Sequence, residues 1–123
     1  MELTWSERYL IIALRILKPL FGKYGYTLRE MQYGSRDGDY LIFEEWYGDG
    51  VSIKIVYNPG FDIIISKKKL FRTKEYSLIK LKNNYPSYSN LPDNYHGEDG
   101  LKEILEGYRD FLKYIISNKK LLH

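Results

Sequence analysis

The chain has no cysteine, which excludes a disulfide framework, a thiol nucleophile and thiolate-bound zinc. Histidine is almost as scarce, with His96 and the terminal His123 as the whole supply. Metal sites draw on three or four converging ligands, and the chain has no HxH or HExxH pairing and no acidic calcium loop, so neither metal nor cofactor is expected. No glycine-rich phosphate loop follows a strand, and no serine stands at a nucleophile elbow. No apolar run reaches membrane-spanning length, and the start Met1-Glu2-Leu3-Thr4 lacks the basic-then-apolar order of a signal peptide. These absences predict a soluble cytoplasmic protein with no membrane partner and no enzymatic role. Charge of one sign is also in short supply: 19 Lys and Arg against 16 Asp and Glu leave a net charge of +3, too mild to mark a nucleic-acid binder.

What the chain does have is tyrosine, 13 of them in 123 residues. A large ring with a polar tip suits half-buried sheet positions and protein interfaces alike. The length is that of a single domain, residues 1–123, with a core that needs no covalent staples.

Three runs rich in β-branched and aromatic residues dominate the middle: 39–47, 51–57 and 61–67, separated by Gly48-Asp49-Gly50 and Asn58-Pro59-Gly60. They predict an antiparallel meander, preceded by a weaker strand over Tyr26–Tyr33 and a loop over 34–38. A three-residue loop at Asn58-Pro59-Gly60 sets Tyr57 opposite Phe61, Ile55 opposite Ile63 and Ile53 opposite Ile65, with Gly60 at positive φ. At Asp49-Gly50 a two-residue type I′ turn places Ile42, Glu44 and Trp46 on the face of Ile53, Ile55 and Tyr57; a three-residue loop exchanges the two faces. In either register the strand 39–47 is apolar on both sides, so something must cover the second face. Residues 76–82 read as a fifth strand or as a short helix capped by Ser77, the helix being the preferred reading.

Helices flank this sheet. Thr4 and Glu7 form a capping box for a helix over 4–24, whose apolar face is unusually broad. Pro19 should kink it, and Gly25 should terminate it. The closing helix is capped by Asp99 and presents Leu101, Ile104, Leu105, Tyr108, Phe111, Leu112 and Ile115 at three- and four-residue spacing. Gly107 within it implies close packing on a neighbour. The expected fold is α+β: a four- to five-stranded antiparallel meander with the N-terminal and C-terminal helices on one face.

Chemistry-bearing residues are few. His96 lies beside Glu98 and Asp99 in the tyrosine-rich loop 83–100. One of Glu44 and Glu45 must face apolar neighbours, and a desolvated carboxylate has a raised pKa. The segment Lys67, Lys68, Lys69, Leu70, Phe71, Arg72, Thr73, Lys74 carries five cations in eight residues. It suits phosphate contacts with Phe71 stacked on a base, or lysines that deter edge-to-edge sheet pairing.

The helix ending in Leu17-Lys-Pro-Leu-Phe-Gly-Lys-Tyr-Gly-Tyr26, the meander, and a closing helix with Tyr108-Arg-Asp-Phe-Leu112 form a layout that resembles small immunity-protein families of bacterial polymorphic toxin and contact-dependent inhibition systems. The resemblance implies a non-enzymatic protein that binds and blocks one toxin domain. It carries over no binding residue, and a positive net charge departs from the acidic character frequent among immunity proteins against nucleases.

The leading expectation is a protein-binding domain. Its partner surface would comprise Leu41, Phe43, Tyr47, Lys54, Val56 and Ile64 on the second sheet face, with Tyr85, Tyr88 and Tyr95 of the long loop. Two alternatives compete for that face: loop 83–96 folding across it, or homodimerisation through it. The alternative function is nucleic-acid binding through Lys67, Lys68, Lys69, Phe71, Arg72 and Lys74.

Overall fold

The three central runs and their neighbours build one antiparallel sheet of five strands in the order β1-β2-β3-β4-β5. The strands are β1 (Thr27–Arg36), β2 (Asp39–Gly48), β3 (Val51–Asn58), β4 (Asp62–Lys69) and β5 (Arg72–Ser77). The structure, a computed structural model, describes residues 4–36, 39–58 and 60–118. Pro59, His123 and the tip of the first hairpin, residues 37 and 38, lie outside them.

Both register expectations hold. Ile53 pairs with Ile65 and Ile55 with Ile63, the pattern of a three-residue loop, and Gly60 takes φ 69°. Gly48 pairs with Val51 around a two-residue turn in which Asp49 and Gly50 have φ 52° and 74°, the positive-φ pair of a type I′ turn. Ile42, Glu44 and Trp46 consequently share the inner face with Ile53, Ile55 and Tyr57, and all six are buried.

Gly48 itself is required by a close approach. A Cβ there would stand 3.0 Å from the Tyr26 ring and 3.1 Å from its Cα. Gly48→Ala is therefore expected to destabilise the fold by about 1–3 kcal/mol, read as a lower urea midpoint with unchanged m-value.

Three local expectations need correction. Residues 34–36 continue β1 and pair with 41–39; the start of β2 offers their backbone groups partners that outweigh weak intrinsic strand preference. Residues 76–82 divide, with 72–77 completing the sheet edge as β5 and α2 (Leu78–Leu81) following, so that Leu78 turns fully into the core. The Ser77 side chain makes no cap to α2; its hydroxyl donates to Asp62 (2.8 and 2.7 Å), and the Ile79 N–H donates to Asp62 Oδ1 at 3.5 Å. The closing helix, α3 (Gly97–Ser117), starts three residues early, with His96 at the cap position and Asp99 in the first turn. Glu98 of that turn pairs with Arg8.

The first helix, α1 (Trp5–Lys23), has the Thr4/Glu7 capping box, and Gly25 follows it at φ 80°. Its buried side chains, Leu10, Ala13, Leu17 and Phe21 among them, join those of α3 and the inner sheet face in one core. Phe21 stacks on Trp46 at 4.7 Å between ring centres.

The tyrosine loop packs on this helical side. Tyr88 stacks on Phe111 (4.7 Å, 20°) and Tyr85 tilts against it at 5.6 Å. Tyr95 contacts Tyr9 and Phe61 edge-on and donates its hydroxyl to the Tyr57 carbonyl at 3.1 Å. Tyr108 donates to the Pro92 carbonyl at 2.8 Å, and buried Lys82 holds the Leu91 carbonyl and Asp93. Leu91 fills the gap left by Gly107, where a Cβ would come within 2.7 Å.

Candidate interaction surface

Alternation along the strands sends Phe43, Glu45, Tyr47, Ser52, Lys54, Val56 and Ile64 to the outer face, opposite the core. Adjacent outer positions run across the sheet as Glu45, Lys54 and Ile64 in one row and Phe43 and Val56 in the next. Phe43 is only 7% exposed yet stands apart from the core cluster. The Lys54 ammonium lies 4.1 Å from its ring centre, a cation–π contact that caps the ring on this face. Val56 and Ile64 are half-buried and Tyr47 is 43% exposed.

Arg29 completes this face. Its guanidinium sits 5.3 Å over the Tyr47 ring, and its Nε is 3.6 Å from Glu45 Oε1. A shallow groove of about 680 Å³ runs beside Tyr47, lined by Arg29, Ser52, Ser66, Lys68 and Thr73. Cations at its ends and hydroxyls between them suit a carboxylate-bearing segment.

The expected partner residues thus separate into two groups. Phe43, Tyr47, Lys54, Val56 and Ile64 share the outer face. The side chain of Leu41 lies outside the described residues. Tyr85, Tyr88 and Tyr95 do not join them; they pack against the core from the helical side. Loop 83–96 therefore covers the helices through its tyrosines. Its rings found aromatic partners in Phe111, Tyr9 and Phe61, and the outer face keeps its exposed tyrosine.

The basic segment becomes the β4–β5 hairpin. Lys67 pairs with Lys74, Lys68 with Thr73 and Lys69 with Arg72, with Leu70 and Phe71 as the turn. The Lys74 ammonium lies 5.4 Å from the Tyr76 ring centre, and the side chain of Lys69 lies outside the described residues.

Glu44 is the buried carboxylate that the two-residue turn requires. It is fully enclosed, flanked in register by Met31 and Ile55. The Tyr57 hydroxyl donates to Oε2 at 3.2 Å, while Oε1 and the buried Trp46 Nε1 have no hydrogen-bond partner. Burial pushes the Glu44 pKa up to about 7, against the opposing pull of the Tyr57 hydrogen bond and of the Trp46 N–H, which points at the carboxylate without hydrogen-bond geometry. Burial first, then the charge of Glu44, drives the Tyr57 hydroxyl well above its ordinary value. Glu44 lines neither the outer groove nor a second, mostly apolar groove of about 600 Å³ between α1 and the edge of the sheet, where Ile11, Leu14, Leu28 and Trp46 meet. Its acid–base capacity therefore has no substrate access in this arrangement. His96 is exposed at the start of α3.

Sequence reasoning missed Arg29 as part of the outer surface and treated Leu70 only as part of a basic run; the two-residue spacing between Lys69 and Arg72 was the available signal for a hairpin apex. Among the described residues no helix is long and apolar enough to cross a membrane. Comparison with known protein families, curated proteins and solved structures finds no match.

Proposed function

We propose that the chain is a non-enzymatic protein-binding domain whose outer sheet face receives the partner, in the manner of an immunity protein that occludes a toxin domain inside the cytoplasm. One observation carries this reading: α1, α3 and the loop tyrosines all pack with the core, while Tyr47, Val56, Ile64 and the Lys54-capped Phe43 remain on the other side. Tyrosine and arginine side by side, as in Tyr47 and Arg29, are the residue types that supply binding hot spots. The cationic ends of the neighbouring groove favour a partner that presents aspartate or glutamate next to an apolar side chain. Such a partner is acidic at the contact, which argues for a toxin domain other than a phosphate-gripping nuclease.

The test is affinity capture from lysate of the source organism with the wild type beside Tyr47→Glu/Ile64→Glu. Both positions have solvent access, so the double variant is expected to keep its circular dichroism spectrum. A protein retained by the wild type and lost, by tenfold or more, in the variant supports the reading when the complex also slows amide exchange in β2–β4. Equal retention by both forms, or a concentration-dependent dimer that the variant abolishes, replaces it.

A further inference from the structure

We propose that the β4–β5 hairpin is a membrane-surface contact whose Leu70 and Phe71 enter the interface of an anionic bilayer while the cations behind them meet lipid headgroups. Leu70 is 89% and Phe71 93% exposed, far beyond any other large apolar side chain described. They stand clear of the sheet. Pairing between β3 and β4 ends at Val51 and Lys67, after which β4 and β5 pair only with each other. Three further residues of extended chain carry the apex roughly 10 Å past that last pair, a reach comparable with the depth to which interfacial segments bury apolar groups.

The turn chemistry points the same way. At Asp49-Gly50 the same sheet uses a positive-φ pair suited to a two-residue hairpin, whereas neither Leu70 nor Phe71 takes positive φ. The second turn thus forgoes the better-matched geometry and leaves two apolar side chains in water. A hydrocarbon boundary offsets that exposure, and the exposed cations Lys68, Arg72 and Lys74 of the two strands behind the apex suit anionic headgroups. Glu75, the one carboxylate within the two strands behind the apex before Asp62, stands opposite Ser66, three pairs back from Lys69 and Arg72.

The layering selects lipid over nucleic acid. An apolar pair stands foremost and the cations follow on both strands, the order met on passing from acyl chains to phosphates. Stacking sites for single strands set aromatic rings among the cations instead, and Leu70 has no ring to stack. That no described helix is long and apolar enough to span a membrane does not bear on a contact this shallow; Lys68 also lines the outer groove, whereas Leu70, Phe71 and Arg72 do not.

The experiment is co-sedimentation of the full chain with vesicles of phosphatidylcholine alone and of phosphatidylcholine with about one-third phosphatidylserine. Binding is expected to the anionic vesicles only and to weaken as salt rises. Leu70→Ser/Phe71→Ser is expected to lower it on the order of tenfold or more, and Lys68→Glu/Arg72→Glu by a similar factor. Unchanged thermal midpoints show that both variants fold. In Phe71→Trp, anionic vesicles should shift the added indole emission to the blue. Failure to sediment at low salt overturns the proposal, as does binding indifferent to the serine pair, which would be charge adsorption alone. Retardation of an oligonucleotide that the same serine pair abolishes, without vesicle binding, assigns the hairpin to nucleic acid and also overturns it.

Discussion

Glu44→Gln is expected to remove about 3 kcal/mol of pH-dependent destabilisation that the wild type suffers between pH 4.5 and 8. Folding raises this carboxyl from 4.5 to about 7 because burial penalises its charge. A group whose pKa rises on folding supports the native state fully below its unfolded value. That support is lost as pH climbs through the folded value, since the unfolded chain then releases the proton more readily. Wild-type stability should accordingly fall across this window relative to the variant, by about 10 °C in melting temperature. The glutamine carbonyl can still accept from Tyr57, but its amino group inherits the unpartnered Oε1 position, at a cost of about 1–3 kcal/mol that does not vary with pH. The diagnostic quantity is therefore the slope of the difference between the two proteins, taken from urea titrations at several pH values. Parallel curves for wild type and variant would mean that Glu44 reaches water and is not enclosed.

Phe111→Ala should cost about 3–5 kcal/mol, a large share of the 5–15 kcal/mol that typically separates folded from unfolded domains. The ring is fully buried on α3 and is the platform for both Tyr85 and Tyr88. Its loss should release the segment around Tyr85 and Tyr88 before the sheet opens, because Pro92 and Tyr95 keep separate hydrogen bonds to Tyr108 and Tyr57. Hydrogen exchange should show the change: faster exchange at 85–91 than in β3 or β4 under conditions where the variant stays folded. Phe111→Leu restores most of the volume without the ring stacking and should cost about 1–2 kcal/mol. Identical protection of 85–91 in wild type and alanine variant would show that the tyrosines do not depend on this ring.

Tyr57 ties the inner sheet face to the loop, its hydroxyl donating to Glu44 and its carbonyl accepting from Tyr95. Burial pushes the Tyr95 pKa up to about 12, so it remains a donor across the accessible pH range. A loop fastened in this way is a fixed cover for the helices. The outer sheet face and the β4–β5 apex, which the loop leaves uncovered, are the exposed surfaces to which the two proposals assign recognition.

Much of this was legible in the residues. The strand runs, the registers at Asp49-Gly50 and Asn58-Pro59-Gly60, the Thr4/Glu7 cap and the apolar stripe of α3 follow from short-range rules: turn residues with positive φ, alternation and helical spacing. Those rules also required one glutamate to face the core. They could not say where the tyrosines of loop 83–96 would go, since a half-polar ring suits a sheet face, a helix or a partner equally well. Contacts distant in the chain decided it: Phe111 and Phe61 offered rings, and the Tyr57 and Pro92 carbonyls offered acceptors. The helix-versus-strand choice at 76–82 likewise depended on the open edge of β4 and on Asp62, residues apart in sequence but adjacent in space. Local sequence set the elements and their amphipathic faces; tertiary packing set which of those faces stayed uncovered, because burial is a competition among all the surfaces of the chain and no single segment contains its outcome.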